Sequence, residues 1–471
     1  MGLKGQTAGL DQRIWKIEDA VDEVPFLGIG LGPTLNDFLF FLELDPRVKP
    51  ILELSRTIRM ALPSPQRRRP EVLPDGRGRL LFTWVRDTPR MNDLLLPVLD
   101  ELGAESCAVL GRHASMPSML PAGCDFYLEN DLGPESWLRW AAEFGRVAPR
   151  WARAVRRVLT EESLPAGIAP LLVTALVQQS RQVTTFLGAL EIIRPRAVIA
   201  DFDRGAFAAP LVLAAKALGI PTITMVHGAV SRRGFTPLIA DVALCWGNDQ
   251  VEIFTKAGAS PERLVVTGYL RAGLTERADA GDVRRRLGLA PQADVVVLAT
   301  TNALPPAERL RFARVFCEAL AGHPEVAAVI RLHPRDQPQI YAELARRNRC
   351  LRVVDDSHAS ANEALAAASL LVCGDSTIAI DAVLQGCPVA LLELDGELLD
   401  GSLLAMGGDG PVVHTAAQLA AIFDRFFGDD DLREQMVGIA RRHAPQICAA
   451  VGSEAAGNVA AEIERRARPA S

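Results

Sequence analysis

The sequence has no paired CxxC cysteines, no long hydrophobic run and no apolar leader. Its eight cysteines are scattered singly, which indicates neither a disulfide framework nor a zinc site. The longest apolar stretches, such as residues 169–177, fall far short of the ~20 residues that cross a bilayer. The opening residues lack the apolar core of a signal peptide. We therefore expect a reduced, cytoplasmic protein, with peripheral contact to the inner membrane left open.

Common nucleotide-binding and catalytic motifs are also missing. The chain has no GxxxxGK[ST] phosphate loop, no GxSxG nucleophile elbow and no HExxH zinc motif. Residues 28–32, of sequence GIGLG, look like a dinucleotide-binding loop. However, no convincing amphipathic helix with an acidic residue about 20 positions further on follows them. We expect no NAD, no other bound cofactor and no metal ion.

An excess of basic over acidic residues is also missing. The net charge is −6, divided between +1 for residues 1–275 and −7 for the remainder. A nucleic-acid-binding protein would carry a basic domain, so we expect no nucleic-acid partner. Two small basic runs, at residues 67–69 and 153–157, are typical of solvated faces and less often meet anionic lipid or polymer.

The 471 residues, 49% of them hydrophobic, contain a repeated alternation of short aliphatic runs, polar turns and amphipathic helices. Such alternation predicts parallel sheets covered by helices on both faces. The predicted strands cover residues 79–84, 106–110, 197–200, 222–226, 242–246 and 264–266, and then 295–298, 327–332, 351–354, 370–372 and 389–392.

The fold class predicted is therefore α/β, with two doubly wound Rossmann-like domains and an inter-domain cleft. Residues 1–75 are expected to form a partly helical lead-in, and residues 76–275 the first domain. The charged segment 271–286 is interpreted as a linker before a second domain at 281–450. A last helix within 451–471 could pack back across the cleft.

Ligands of such sheets bind beyond the carboxyl ends of the strands, so polar residues that follow predicted strands are the candidate site. The first domain offers Asp201, Asp203 and His227, with Arg232 in the loop after His227 as a candidate for reading an anionic group. The second domain offers Thr300, His333, Arg335, Gly374, Ser376, Thr377 and Glu393.

Two His-Pro pairs flank one predicted strand, and their positions distinguish them. His333 leaves the carboxyl end, where an imidazole can donate a hydrogen bond to a phosphate, although a loop histidine can also simply bond the backbone. His323 enters the amino end, away from the ligand edge, and is predicted to be a spectator.

The turn at residues 374–377 admits two compatible interpretations. Its hydroxyls can cap the following helix, or together with backbone N–H groups they can hold a phosphate. Asp201 and Asp203 form a DxD pattern that by itself signals a metal site weakly. We favour Asp201 as a general base, with Asp203 close behind it.

Four segments, at residues 221–228, 246–268, 331–334 and 375–389, carry a resemblance to known enzymes. In order and spacing they are similar to bacterial GT-B-fold transferases that build capsule and surface polysaccharides, including polysialyl- and Kdo-transferase-like enzymes. They are also similar to CDP-glycerol glycerophosphotransferases of teichoic acid synthesis. The UDP-N-acetylglucosamine epimerases share this fold.

The resemblance implies roles for individual residues. His333 would bind the donor phosphate and assist its departure, Ser376 and Thr377 would hold that phosphate, and His227 would lie across the cleft. Thr377 replaces a second serine found in many relatives, and the acidic-pair-Gly motif of polysialyltransferase-like enzymes is missing. Asp201 as the base therefore rests on its strand-end position alone.

The function expected from this resemblance is metal-independent transfer of a sugar from a nucleotide-activated donor to a surface-polysaccharide or lipid-linked glycan acceptor. Cytidine donors among the relatives tilt the expectation weakly toward a CMP-sugar. The first domain would serve the acceptor and the second the donor. The alternatives are a CDP-glycerol-type glycerophosphotransferase and a UDP-sugar epimerase or hydrolase of the same fold. The oligomeric state is not predicted.

Overall fold

A computed structural model gives the three-dimensional structure. The residues it describes are 15–35, 78–84, 89–112, 116–129, 132, 137–163, 168–228, 230, 235–271, 278–301, 306–334, 336–374, 376–394, 410–428 and 430–468. Most of the predicted lead-in, including the basic run at 67–69, lies outside these residues.

The chain forms two compact units, which we call the N-terminal unit and the C-terminal unit. The N-terminal unit comprises residues 6–245, 251–270 and 453–471, and the C-terminal unit comprises residues 246–250 and 271–452. Each unit is built on its own sheet, as the predicted alternation requires.

The N-terminal unit contains a seven-stranded parallel sheet in the order β3-β2-β1-β4-β5-β6-β7. Its strands are almost continuously buried and aliphatic, as expected where helices cover both faces. The strands are β1 (Leu80–Trp84), β2 (Cys107–Gly111), β3 (Asp125–Leu128), β4 (Ala197–Ala200), β5 (Thr222–Met225), β6 (Val242–Cys245) and β7 (Leu264–Val266).

Helices enclose this sheet, and one of them comes from the end of the chain. Ser453–Arg466 is fixed to the N-terminal unit by Arg196, whose guanidinium donates two hydrogen bonds of 2.9 Å to the Glu464 carboxylate. The other helices are residues 15–22, Pro89–Leu102, Trp137–Glu161, Ile168–Ile193, Ala208–Ala217 and Asn248–Lys256, the last having residues in both units.

The C-terminal unit contains a six-stranded parallel sheet in the order β10-β9-β8-β11-β12-β13. Its strands are β8 (Val295–Ala299), β9 (Ala327–Arg331), β10 (Leu351–Val354), β11 (Leu370–Cys373), β12 (Val389–Leu392) and β13 (Val412–Val413). Its helices are Ala280–Arg286, Pro306–Ala319, Ala342–Arg347, Ala361–Ala367, Ile378–Leu384, Ala416–Gly428 and Asp430–Ile447.

The predicted α/β fold class with two Rossmann-like domains is confirmed, with three local differences. The short edge strands β3 and β13 were not predicted. The segment interpreted as a linker contains the helix Ala280–Arg286, because the Asp279 carboxylate accepts the N–H of Asp282 at its start and Val283 is buried. Residues 272–277 of that segment lie outside the description. None of the helices in the described part of the chain is long and apolar enough to span a membrane.

Candidate functional site

The strand orders show where ligands are expected in each unit. In both sheets the strand order reverses beside the first strand, between β1 and β4 in the N-terminal unit and between β8 and β11 in the C-terminal unit. Crevices outside the carboxyl ends of strands at such switch points bind ligands in open α/β sheets. Asp201 follows β4, Thr300 follows β8, and Gly374 follows β11. Three of the predicted residues therefore occupy switch points.

In the N-terminal unit, the structure brings Asp201 and His227 together. The Thr83 hydroxyl, on β1, donates to Asp201 Oδ1 over 3.1 Å, which fixes the carboxylate. His227 Nδ1 lies 2.6 Å from the backbone carbonyl oxygen of Asp201. Because a carbonyl oxygen can only accept, Nδ1 carries the proton and Nε2 holds the lone pair of the neutral ring.

Two aromatic rings pack together against the His227 side chain. Its ring centroid lies 5.7 Å from that of Phe202 and 5.4 Å from that of Phe235, with edge-to-face geometry. Such contacts together with the Nδ1 hydrogen bond fix the direction in which Nε2 points. The imidazole is therefore preorganised for one orientation.

Asp201 and His227 share a small cavity within the N-terminal unit. The space available to the centre of a water molecule is about 10 Å³, enough for about one water. Its other walls are mostly apolar, and they come from Thr83, Trp84, Leu94, Leu95, Met225, Val226 and Leu270. A carboxylate and an imidazole facing one apolar-walled space form an arrangement suited to moving a proton.

Asp203 has a different position from Asp201. It is fully buried, and its Oδ2 accepts hydrogen bonds from the backbone N–H groups of Ile239 and Ala240 at 2.7 and 2.8 Å. Burial raises the pKa of this carboxyl. The side chain anchors the segment before β6 and does not line the cavity, so the structure does not place it as a second base.

The next residue, Arg204, anchors the same region from another side. Its guanidinium is fully buried, bonds the Glu18 carboxylate at 2.8 and 3.0 Å, and donates to the Pro237 carbonyl at 3.2 Å.

Among the described residues, no three His, Cys, Asp or Glu side chains are grouped to hold a metal ion. The two carboxylates of the DxD pattern have different surroundings: Asp201 lines the cavity, and Asp203 is buried on backbone N–H groups.

In the C-terminal unit, His333 is held through its backbone. Its N–H donates to the Thr300 hydroxyl over 2.8 Å, and the Thr300 N–H donates to the Arg331 carbonyl over 3.0 Å. The loops after β8 and β9 are thereby joined at the switch point. Thr300 has a positioning role that its strand-end location alone did not predict.

A buried network behind His333, which the sequence analysis missed, completes this support. The Asp336 N–H donates to the His333 carbonyl over 2.7 Å. The Asp336 carboxylate accepts from the Tyr341 hydroxyl over 2.6 Å and pairs with Arg309. Burial, with the hydrogen bond to Asp336, raises the pKa of Tyr341. In the sequence, the sign of this network is the aspartate three residues after His333.

The turn after β11 leads into the helix Ile378–Leu384. The backbone carbonyls of Ser376 and Thr377 accept the first helical bonds, from the N–H groups of Ala379 at 3.0 Å and Ile380 at 3.1 Å. Thr377 is the N-terminal capping residue, but its hydroxyl makes no capping hydrogen bond. The interpretation of that hydroxyl as a helix cap is therefore wrong.

Packing does not require a glycine at position 374. A Cβ at this position would lie 3.6 Å from the Phe312 ring and 3.9 Å from the Leu392 carbonyl oxygen, which are ordinary contacts. Its missing side chain leaves room at the strand end. Arg335 and Arg232, the two arginines predicted to contribute, lie outside the described residues.

Glu393 follows β12 and is only 7% exposed. Its Oε2 lies 3.4 Å from His414 Nδ1, and that nitrogen is 2.9 Å from the Glu393 carbonyl oxygen. The other carboxylate oxygen, Oε1, is buried and has no hydrogen-bond partner among the residues that the structure describes. A buried carboxylate oxygen in this condition is suited to accept a hydrogen bond from a ligand.

Comparison with known proteins identifies no sequence relative and a clear likeness of fold. No protein-family model matches the chain. No curated protein matches it either. The UDP-GlcNAc 2-epimerase from Neisseria meningitidis, solved with UDP-GlcNAc, matches with a TM-score of 0.52 at 12% identity over 82% of this chain and 98% of that chain.

Two further solved structures give the same result. S. aureus MnaA, solved with UDP, matches with a TM-score of 0.52 at 12% identity over 82% of this chain and 96% of that one. Anabaena HepE, solved with UDP, matches with a TM-score of 0.51 at 15% identity over 82% and 99%. These likenesses show that the two parallel α/β units form the same fold as those proteins.

Proposed function

We propose that the chain is a glycosyltransferase that moves a sugar from a nucleotide-activated donor to a glycan or lipid-linked acceptor. The observation that carries this proposal is the polar edge of the C-terminal sheet, where Thr300, His333 and the turn at Ser376 and Thr377 follow β8, β9 and β11. Three proteins of the same fold, each solved with a UDP compound, support a nucleotide as the ligand class.

Within this proposal, the donor diphosphate or phosphate lies against the C-terminal strand ends. The hydroxyls of Ser376 and Thr377 donate to its oxygens, and Gly374 leaves room for its approach. His333 donates to the phosphate oxygen on which negative charge builds as the bond to the sugar breaks. The network of Asp336, Tyr341 and Arg309 keeps the backbone of His333 in place.

Glu393 suits the nucleoside part of the donor. Its buried Oε1 has no partner in the described part of the chain, and a ribose has hydroxyls that can donate to it. The preference between cytosine and uracil is a separate question. The weak preference for a CMP-sugar remains our expectation, and the bound ligands of the similar structures favour uridine equally well.

The N-terminal unit supplies the acid–base chemistry in this proposal. Transfer breaks the bond between the sugar's anomeric carbon and the phosphate oxygen and forms one to the acceptor hydroxyl oxygen. The hydroxyl proton passes to the Asp201 carboxylate or to His227 Nε2, and the electron pair of the broken bond leaves on the phosphate. Metal-independent transfer is part of this proposal, and Asp203, whose Oδ2 accepts two backbone N–H groups, has a structural place in it.

A UDP-sugar 2-epimerase is the second candidate function. One of the similar solved structures is a UDP-GlcNAc 2-epimerase by title, and this chain covers 98% of it. An epimerase would convert its nucleotide sugar without any acceptor. The described N-terminal cavity, with its carboxylate and imidazole, suits proton transfer in either reaction.

The test is a panel of nucleotides followed by one discriminating incubation. Melting temperature is measured with CMP, CDP, UDP and GDP, and then with the corresponding sugars. We expect one pyrimidine nucleotide to stabilise the protein, since a ligand that binds only the folded state raises its stability. Incubation of the selected nucleotide sugar then separates the candidates, because epimerisation without acceptor would favour the second. Stabilisation by none of the nucleotides would contradict both.

A further inference from the structure

The long helix Trp137–Glu161 carries a straight row of arginines on its outer face. Residues 139, 146, 150, 153 and 157 are all arginine and all exposed. At 100° per residue their spacings of 7, 4, 3 and 4 place them within about 60° of arc, along about 27 Å of helix. We call these five residues the arginine stripe.

The opposite face of this helix is buried, so the stripe cannot turn inward. Val147 and Trp151 lie in the core of the N-terminal unit, and the Trp151 indole N–H donates to the Val24 carbonyl over 2.8 Å. The hydrophobic face is thus already used in folding. What the helix offers outward is fixed by its packing.

Acidic neighbours neutralise only part of the stripe. Arg146 bonds Glu143 of its own helix at 2.8 Å through Nε, and Arg157 bonds Glu23 at 2.7 Å. No described acidic residue forms an ion pair with the other three stripe arginines, Arg139, Arg150 and Arg153. In a chain of net charge −6, this is a local concentration of positive charge that acidic residues of the described part of the chain neutralise only at Arg146 and Arg157.

A second row, small and apolar, runs beside the arginine stripe. Its members follow the same helical spacing and are exposed: Leu138, Ala142, Gly145, Pro149 and Ala152. Leu138 is 76% exposed. Cationic side chains next to short apolar ones match the headgroup level of a bilayer, where guanidiniums meet phosphates and a leucine can enter the apolar boundary. A soluble polyanion would gain nothing from the apolar row.

We propose that this helix face docks the protein onto a bilayer that contains anionic lipid. A flat anionic surface can meet all members of the straight stripe at once. Near such a surface each basic residue changes binding by about fivefold, so the three unpaired arginines together contribute on the order of a hundredfold. Docking of this kind is independent of the proposed transferase activity and would keep a lipid-linked acceptor close by.

The experiment is co-sedimentation of the full chain with vesicles. Vesicles of phosphatidylcholine alone are compared with vesicles containing about 30% phosphatidylglycerol, at low salt and at about 0.5 M NaCl. We expect binding only to the anionic vesicles and only at low salt. The triple variant R139Q/R150Q/R153Q should bind on the order of a hundredfold more weakly.

The matched control removes the same charge elsewhere. Arg346, Arg347 and Arg349 are exposed on the C-terminal unit, and R346Q/R347Q/R349Q should bind like the wild type. R139K/R150K/R153K keeps the charge and should retain binding even if the glutamine variant folds poorly. Leu138→Ser should weaken binding severalfold at unchanged charge.

Three results would overturn the proposal. They are no binding of the wild type to anionic vesicles at low salt, equal losses in the two glutamine variants, and binding to dextran sulfate without binding to vesicles. The last result would assign the stripe to a soluble polyanion instead.

Discussion

The strand ends of the two units differ in how their polar side chains are held. In the N-terminal unit, Asp201 and His227 face one small apolar-walled cavity, and His227 Nδ1 bonds the backbone carbonyl of Asp201. In the C-terminal unit, Thr300 and His333 are joined through the backbone, and the hydroxyls of the turn after β11 are not used as helix caps. The same switch-point arrangement thus carries a carboxylate and an imidazole in one unit and hydroxyls with an imidazole in the other.

This difference teaches that strand order decides where a ligand can bind, while the loops decide what chemistry meets it. In both sheets the strand order reverses beside the first strand. The loop residues differ, and under the proposed function they make one edge a proton-transfer site and the other a phosphate site. Substitutions in the two sets should therefore have different signatures, catalytic in the N-terminal unit and both catalytic and binding in the C-terminal unit.

The largest effect is expected for Asp201→Asn. Removing the carboxylate's basicity while keeping its size should lower turnover by about 10²–10⁴, the usual contribution of a general base. Nucleotide affinity should not change. Asp203→Asn is the matched control, two residues away in sequence but buried on backbone N–H groups. Equal losses of turnover in the two variants at equal stability would remove the distinction between them.

His333→Ala comes next. Loss of a donor to the departing phosphate should lower turnover by about 10²–10³. The melting temperature should change little, since the ring extends from a strand-end loop. His323→Ala should instead lower the melting temperature and leave turnover within a few-fold of the wild type. That ring is 10% exposed, meets Phe423 edge-to-face at a centroid distance of 6.0 Å and lies 3.2 Å from the Asp424 carboxylate. A His333→Ala defect explained wholly by unfolding would contradict the assignment.

A smaller effect is expected on binding. The variant S376A/T377V removes both hydroxyls of the turn and should weaken nucleotide binding by about tenfold, equivalent to one or two lost hydrogen bonds. Calorimetric titration measures it. Ser357→Ala is the control, since that hydroxyl bonds only within the exposed loop after β10. Unchanged affinity in S376A/T377V would place the phosphate elsewhere.

A separate effect concerns stability and its pH dependence, not activity or binding. Asp203→Asn introduces a buried amide N–H₂ beside an oxygen position that has no partner, which should cost about 1–3 kcal/mol. Burial raises the pKa of Asp203 above its ordinary 3.8. Its neutral form is therefore favoured in the fold, and that contribution to stability is complete below pH 3.8 and is lost as the pH rises through the raised value. The melting-temperature deficit of the variant should shrink toward higher pH, and a constant or growing deficit would contradict the burial account.

The fold was predictable from the sequence because its strands are short, aliphatic and fully buried. Runs such as those of β4 and β8 admit few other interpretations. The strand β3 has the sequence DFYL and is only partly buried at the sheet edge, so it lacks that signal. The strand β13 has only two residues.

The sequence predicts where the candidate site residues lie along the chain, but not how their side chains are oriented and held. A strand-end rule finds Asp201 and Asp203 equally, yet one side chain reaches the cavity and the other the interior. The backbone direction in the turn decides this, and the sequence does not show it. The pairing of Asp336 with Arg309, 27 positions away, depends likewise on how the helix Pro306–Ala319 packs.

The central claim is that the nucleotide donor binds at the strand ends of the C-terminal unit, and hydrogen–deuterium exchange of the full chain with and without the selected nucleotide tests it most directly. Bound nucleotide should slow exchange of backbone amides at residues 300–301, 331–337 and 374–380. Residues 197–204 and 222–228 of the N-terminal unit should change little with nucleotide alone. Protection confined to those N-terminal strand ends, with none at the C-terminal ones, would contradict the account.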